Sequence, residues 1–568
     1  MSFGLFLFRA GRGPEALAAL DRSGDRCETE RVRRSLAAAA ATGAGFEPQP
    51  VRFEFSELPM TVRNGAYGKK HQVETMLAGV AAFDYDNDGW PDIFVSNGAE
   101  LPGLEKRNAS FANRLFHNNR DGSFSDVTAR SGLAGSGYAM GVAAADFDND
   151  GWVDLLVTGV HGNTLYRNRG DGTFQDVTER AGLRGDGSWS VAAGWFDYDN
   201  DGLLDLFVVR YVDWDPDTEP FCGDPRPGGR AYCHPRFYTA LPNALYHNEG
   251  GGRFRDVSRE SGIGAHAGKG MGVAFGDFDG DGRLDVFVAN DTTPNFLFHN
   301  EGKGKFRECA LEAGVALTGD GVATSTMGAE FRDYDNDGRE DLFLTTLTNE
   351  RFVLFRNLGG SVFADVSGPS RVAGASLPYS GWSLGMADLN NDGYRDVLTA
   401  NGNVVDNAEQ LSDRKSRQPM TVFLNRGNGK FALQELAGAA FHRGAAFADF
   451  DRDGLVDAVV TRLNEAPLVL RNSTPRAGHW IEVRLRGHRS NRDGIGARVH
   501  VVAPGLEQWG RVGTASGYGA SSDRVLHFGL GGAARLQRIE IEWPSGIRQT
   551  LNDGSVDRLI VIEEPESR

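Results

Sequence analysis

The stretch FDYDNDGWPD, residues 83–92, decides how this chain is read, because its Asp84, Asp86, Asp88, Gly89 and Asp92 return as a pattern six more times. The other copies are DFDNDGWVD from Asp146, DYDNDGLLD from Asp197, DFDGDGRLD from Asp277, DYDNDGRED from Asp333, DLNNDGYRD from Asp388 and DFDRDGLVD from Asp449. Oxygen side chains at loop positions 1, 3 and 5, a glycine at 6 for the sharp turn and an aspartate at 9 form a cage suited to a hard cation such as Ca²⁺.

An EF-hand loop opens with the same spacing, but it needs a bidentate Glu at position 12 and a helix on each side. Position 12 here is Val95, Val157, Val208, Val288, Leu344, Thr399 and Val460. Each loop runs instead into a short apolar segment such as DIFVSN or DVFVAN, which has the length and β-branched content of a buried strand. The loops are therefore expected between strands, with position 9 ligating directly and the position 7 carbonyl completing the shell. The candidate ligand sets are Asp84, Asp86, Asp88, Trp90 and Asp92; Asp146, Asp148, Asp150, Trp152 and Asp154; Asp197, Asp199, Asp201, Leu203 and Asp205; Asp277, Asp279, Asp281, Arg283 and Asp285; Asp333, Asp335, Asp337, Arg339 and Asp341; Asp388, Asn390, Asp392, Tyr394 and Asp396; and Asp449, Asp451, Asp453, Leu455 and Asp457. Up to seven Ca²⁺ ions are expected.

A second pattern lies between the loops: NRLFHNNRDGSFSDVT from Asn113, NTLYRNRGDGTFQDVT from Asn163, NALYHNEGGGRFRDVS from Asn243 and NFLFHNEGKGKFRECA from Asn295. Each reads as a hairpin, an aromatic-rich strand and an F-x-D-V-T strand joined by a glycine turn. Together with the strands flanking the metal loop this gives four per unit. Four antiparallel strands recurring about every 50 to 60 residues are the signature of a propeller blade. Five residues before each first Asp stand Gly79, Gly141, Ala192, Gly272, Gly328, Ser383 and Gly444, and three residues before it only Glu330 is large. Small side chains are expected where innermost strands converge on an axis.

The fold class is thus all-β: a seven-bladed β-propeller over residues 46–475, followed by a small C-terminal β domain over 476–568. Residues 1–45 are expected to be a helical or disordered extension. The seventh unit ends at PLVLRNSTP without an outer strand of its own, so VRFEFSEL (51–58) is expected to close the ring.

The chain of 568 residues carries a net charge of -17, which repels phosphate and excludes a nucleic-acid surface. Four acidic positions in each of seven loops, less Asn390, account for about a third of its 77 acids, so folding should depend on metal. No window approaches the roughly 18 apolar residues of a membrane span. Of the four cysteines, Cys222 and Cys233 share a Gly/Pro-rich insertion between Tyr211 and Pro242. A disulfide is favoured there over two free thiols, and a metal pair has less support. Sequons stand at Asn108, Asn290 and Asn472.

The repeats look like the FG-GAP/VCBS repeats of calcium-binding propellers, and the C-terminal NRDGIGARV, GTASGYGASSD, LHFGLGG and IEWPSG resemble the ASPIC/UnbV domain. The combination is similar to the cartilage acidic protein family and its bacterial relatives, including the UnbV proteins of enediyne gene clusters. GKKHQVETMLAGVAAFDYDNDG and YCHPRFYTALPNALYHN also look like the bacterial members. The resemblance implies a seven-bladed calcium-binding propeller, secreted, periplasmic or at the cell surface, with a role in binding or adhesion. Asn390 departs from the pattern and is expected to weaken one site. No clear signal peptide opens the chain.

The leading functional expectation is a non-enzymatic, calcium-stabilised scaffold for a protein, carbohydrate or small-molecule ligand. The rival is an enzyme or accessory protein of a secondary-metabolite (enediyne-type polyketide) pathway, with its site in the propeller mouth among Glu74, His161, Arg210, Tyr211, Asp291, Trp382 and His442. These residues share no catalytic spacing. The chain has no G-x-S-x-G, H-E-x-x-H or P-loop motif.

Overall fold

The apolar run that follows each metal loop forms the second strand of a four-stranded antiparallel sheet, and its alternate residues meet the core on both faces of that sheet. The computed structural model describes residues 45–226, 229–411, 413–475 and 478–566. The expected extension over 1–45 lies almost wholly outside them.

Seven such sheets follow one another, the first extended at its inner edge by two further strands. In blade one, Val80–Phe83, Asp92–Val95, Arg114–Asn118 and Phe124–Asp126 lie in that order. The inner strands of blades two to seven are Ala139–Ala145, Ser190–Phe196, Gly270–Gly276, Ala329–Arg332, Gly381–Ala387 and His442–Ala448. The seventh sheet takes its outer strand from the opposite end of the propeller sequence. Strand β1, Phe53–Glu57, pairs antiparallel with Leu468–Asn472, from Phe53 opposite Asn472 to Glu57 opposite Leu468. This is the closure expected from VRFEFSEL, and it pairs an edge that would otherwise offer its backbone to other chains.

The F-x-D-V-T segments are shorter strands than the sequence suggests. In blade one the strand stops at Asp126, and a single helical turn, Thr128–Ser131, follows. Asp126 Oδ1 accepts from both the Thr128 amide and the Thr128 hydroxyl, at 2.9 and 2.6 Å. The acidic residue acts as a local turn cap, so the D-V-T portion leaves the ladder.

The C-terminal segment forms two further sheets. Leu526–Gly531, His479–Arg486 and Arg558–Glu563 make one; Leu506–Arg511, Arg498–Ala503, Arg538–Glu542 and Arg548–Leu551 make the other. Their core, including Ile481, Val499, Phe528, Ile541 and Trp543, is continuous with Trp195 and Leu206 of blade three.

Between these sheets the chain sends a hairpin, Ala515–Ser516 and Ala520–Ser521, into the centre of the propeller. Ala520 pairs in parallel with Val80 of blade one. The Val142 amide of blade two donates to the Gly519 carbonyl at 3.1 Å, and the Ala329 amide of blade five donates to the Gly517 carbonyl at 3.3 Å. The hairpin explains part of the small-residue rule. A Cβ at Gly272 would come within 2.7 Å of the Gly517 carbonyl oxygen, and one at Gly141 within 3.1 Å of Gly519 Cα. Elsewhere the small residue admits the neighbouring blade: a Cβ at Gly385 would meet the Phe447 ring at 2.0 Å. Glu330, the large exception, is buried and accepts from the Met386 amide of the next blade at 2.9 Å.

Candidate metal centres

Each loop is folded by its own carboxylates. In the first, Asp84 accepts from the amides of Asp88 and Gly89 at 3.1 and 3.0 Å, and Asp88 Oδ1 accepts from the Trp90 amide at 2.9 Å. Asp92 accepts from the Tyr85 amide at 3.1 Å and the Asn118 amide at 2.8 Å, joining the loop to the next strands. The other six loops repeat these bonds: Asp146, Asp197, Asp277, Asp333, Asp388 and Asp449 each take the amide of their position 6 glycine. Position 4 and position 6 both have positive φ, as at Asn87 (58°) and Gly89 (91°), which is why Asn and Gly dominate there. Arg452 (57°) holds the same strained geometry in loop seven.

The reason for tolerating Arg452 is a relay between loops that the sequence reading missed. Asn87 donates to the Gly151 carbonyl of the next loop at 2.8 Å, Asn149 to Gly202 at 2.9 Å, Asn336 to Gly393 at 2.9 Å and Asn391 to Gly454 at 2.9 Å. Arg452 Nε then returns to Gly89 of loop one at 3.0 Å. Position 4 thus links loops five, six, seven, one, two and three into a plate on one face of the propeller, whereas loop four has Gly280 at this position.

A basic side chain from the third strand faces the loop in six blades. Arg167 meets Asp148 and Asp150 at 2.5 Å each; Arg356 meets Asp335 at 2.6 Å and Arg471 meets Asp451 at 2.6 Å. His117, His247 and His299 occupy the same place, 3.1 to 3.3 Å from Asp92, Asp205 and Asp285. The signal was in the sequence, as the H or R of FHN, YRN and LRN. The sixth blade has Leu424 there, and it is also the blade with Asn390 for Asp. One negative and one positive charge are missing together, so the sixth loop keeps the same balance as the loops that carry Arg.

Burial raises the pKa of the first and last aspartate of each loop. Asp92 is pushed up to about 9 and Asp197 to about 8 by desolvation. Asp205 and Asp285 rise only to about 6, because His247 and His299 hydrogen-bond their charged forms. Carboxylate oxygens of Asp84, Asp86 and Asp88 lie within 4.8 Å of one another, as do those of Asp146, Asp148 and Asp154. Among the described residues, five buried loop oxygens lack any hydrogen-bond donor: Asp86 Oδ1, Asp148 Oδ1, Asp335 Oδ1 and Asp451 Oδ1 at position 3, and Asp392 Oδ2 at position 5. A buried acceptor without a donor is costly, so the residues fit a divalent cation held at this point of loops one, two, five, six and seven.

The C-terminal domain rests on this plate. Arg484 approaches Asp84 at 3.5 Å, Asp493 accepts from the Asp146 amide at 2.8 Å, and Arg511 pairs with Glu340 at 2.9 Å and Asp277 at 3.7 Å. Arg498 donates to the Gly338 carbonyl at 2.5 Å, and His527 bonds Asn391 at 2.7 Å.

The residues expected at the mouth divide. Tyr211, Asp291 and Trp382 line one cavity at the strand ends opposite the plate, whereas Glu74, His161, Arg210 and His442 do not line it. The Cys222–Cys233 disulfide is formed, and Cys309 is free and buried. Asn290 and Asn472 are fully buried, which excludes them as glycosylation acceptors; Asn108 is exposed.

The model of the FG-GAP-like repeat matches residues 84–157, 146–208, 237–288, 277–344 and 333–399, and that of ASPIC and UnbV matches 487–568. Cartilage acidic protein 1 of Homo sapiens is 28% identical over 322 residues, covering 54% of this chain and 46% of its own length; that of Xenopus tropicalis is 26% identical over 325 residues, covering 55% and 47%. The chain spans about half the length of the curated relatives it matches. Among solved structures, an Agrocybe aegerita lectin described as recognising non-reducing terminal N-acetylglucosamine aligns with TM-score 0.36 and 17% identity over 67% of this chain and 88% of that one. YCF48 bound to D1 peptide aligns with TM-score 0.41 and 9% identity over 75% and 97%. With its loops, its blades and its docked C-terminal domain matched in this way, the chain belongs to the FG-GAP-like repeat family and carries a C-terminal ASPIC and UnbV domain.

Proposed function

We propose that this protein is a non-enzymatic binding scaffold whose metal loops hold Ca²⁺ and so stiffen the plate on which the C-terminal domain docks. The donor-less position 3 and position 5 oxygens, pointing into loops whose other oxygens are already tied down, carry this reading. Bound Ca²⁺ would supply positive charge to buried carboxylates that otherwise resist ionisation. Position 1 and position 9 keep the loop shape through backbone amides, leaving positions 3 and 5 to face the cation. The charge balance of Asn390 with Leu424 supports filling of the sixth loop as well.

The proposed setting is outside the cytosol. The disulfide in the insertion fits an oxidising compartment, and extracellular modules bind Ca²⁺ with Kd of about 10⁻⁴ to 10⁻³ M. No helix among the described residues is long and apolar enough to cross a membrane. The face opposite the plate, carrying the insertion after Tyr211 and the loop after Asn401, is offered to a protein or carbohydrate partner. Metal content measured on protein dialysed against Ca²⁺, together with calorimetric titration after chelation, tests the reading. Several Ca²⁺ per chain and a higher melting temperature are expected; a melting temperature unmoved by chelator would overturn it.

A further inference from the structure

At the strand ends opposite the metal plate, a cavity of about 230 Å³ opens beneath the disulfide-bearing insertion and the loop after Asn401. Its apolar wall is built by Met76, Met271, Met327 and Trp382. The volume corresponds to about seven waters at roughly 30 Å³ each, enough for a compact organic molecule.

Two acceptors in this wall lack the partner their chemistry requires. Asp291, only 4% exposed, accepts from the Tyr211 hydroxyl at 2.7 Å and from Ser325, and it forms no ion pair among the described residues. Lys269 lies within Coulomb range but does not line the cavity. Gln72, also 4% exposed, bonds the Tyr211 hydroxyl with its side chain, and its Oε1 is buried with no hydrogen-bond partner. Both residues line the cavity. A buried carboxylate with no ion pair at contact distance, balanced only by Lys269 at longer range, and a buried carbonyl without a donor are each costly until a donor reaches them. The thioether surfaces beside them are polarizable, and Trp382, whose ring already carries the Arg443 guanidinium 4.0 Å from its centroid, adds apolar area. Arg414 also lines the cavity, but it is exposed and already has protein partners.

We propose that this cavity is a binding site for a compact organic amine, whose ammonium donates to Asp291 and Gln72 Oε1 while its apolar body packs on Trp382 and the three methionines. Tyr211 is the positioning residue, since its hydroxyl donates to Asp291 and accepts from the Gln72 side-chain amide. The site is independent of the metal loops, which occupy the other end of the strands.

The test is calorimetric titration of the full chain in Ca²⁺ buffer with phenethylamine, 2-phenylethanol and phenylacetate. Phenethylamine is expected to bind at least about tenfold more tightly than the other two, because hydrogen bonds to charged groups are the stronger ones. Asp291→Asn should lower amine affinity by about tenfold and leave the alcohol unchanged, and Gln72→Leu should lower it by about fivefold. Val405→Trp, on the partly exposed loop, should close the mouth and abolish binding without moving the melting temperature. Should Asp291→Asn fail to fold, the last two variants decide the matter. Equal affinity for all three probes, no binding of any, or amine binding untouched by these substitutions would overturn the assignment.

Discussion

The Tyr518 hydroxyl donates a 2.7 Å hydrogen bond to the Met76 carbonyl, joining the C-terminal domain to the lead-in of the first blade through the middle of the propeller. Tyr518 is fully buried, its ring centroid is 5.1 Å from that of Trp382, and its amide donates to Ser383 Oγ at 3.1 Å. The C-terminal domain is thus an internal ligand of the channel.

Replacing Tyr518 should therefore destabilise the whole molecule. Tyr518→Phe removes the donor from a buried carbonyl and is expected to cost about 1 to 3 kcal/mol, whereas Tyr518→Ala leaves a cavity and should cost about 3 to 5 kcal/mol. Urea denaturation of the full chain checks both. Equal, near-zero effects would mean that the plug contributes nothing to stability.

The response to pH should reverse with Ca²⁺. Without a cation, burial pushes Asp92, Asp197 and Asp449 up to about 9, 8 and 7 in the folded state, above the ordinary 3.8. A raised folded pKa means that the native state holds protons which the unfolded chain has released, so this stabilisation is complete at low pH and is lost as pH rises through the folded values. In chelator, the melting temperature is expected to fall between pH 5 and pH 8, for this range lies inside the window that runs from 3.8 to about 9. With Ca²⁺ present the loss should disappear, because deprotonated carboxylates are the form that binds metal. Thermal scans across that range, with and without Ca²⁺, measure it.

Deleting residues 46–60 should open the ring. β1 contributes five paired positions to the seventh sheet, and Glu57 and Glu54 of that strand pair with Arg462 and Arg471. At about 0.5 to 1.5 kcal/mol for each paired position, the loss sums to about 2.5 to 7.5 kcal/mol. The strand Leu468–Asn472 would also become an exposed edge. A lower melting temperature with concentration-dependent association is expected by calorimetry and light scattering.

Asn390 and Leu424 should behave as a coupled pair. Asn390→Asp alone adds a carboxylate to a buried loop and is expected to destabilise the chelated protein by about 1 to 3 kcal/mol. Adding Leu424→Arg should recover much of that loss, reproducing the Asp148 and Arg167 pairing of blade two. A double-mutant cycle from denaturant unfolding gives the coupling energy.

Much of this architecture was legible because it is written locally. The loop ligands stand within nine residues of one another, and the strand period and glycine turns lie within one repeat, so the seven blades could be counted directly. The closing strand could be inferred because one unit lacked a partner and one strand had none. The position 4 relay was harder to see. Asn at a left-handed position looks like a turn residue, and its bond to the next loop depends on the angle between blades. His117, His247, His299 and their Arg counterparts were overlooked for a similar reason, since they sit in the hairpin and reach the loop only once the strands pair.

The sequence by itself determined the repeat, the all-β class, the carboxylate cages and the need for ring closure, because each rests on spacing along the chain. Tertiary structure alone decided that the GTASGYGASSD segment fills the channel, that the C-terminal domain covers the metal plate, and that Gln72, Tyr211 and Asp291 share one wall. These relationships join residues from different blades and domains. Only radial packing about the propeller axis, with small inner residues making room for the hairpin, brings them within bonding distance.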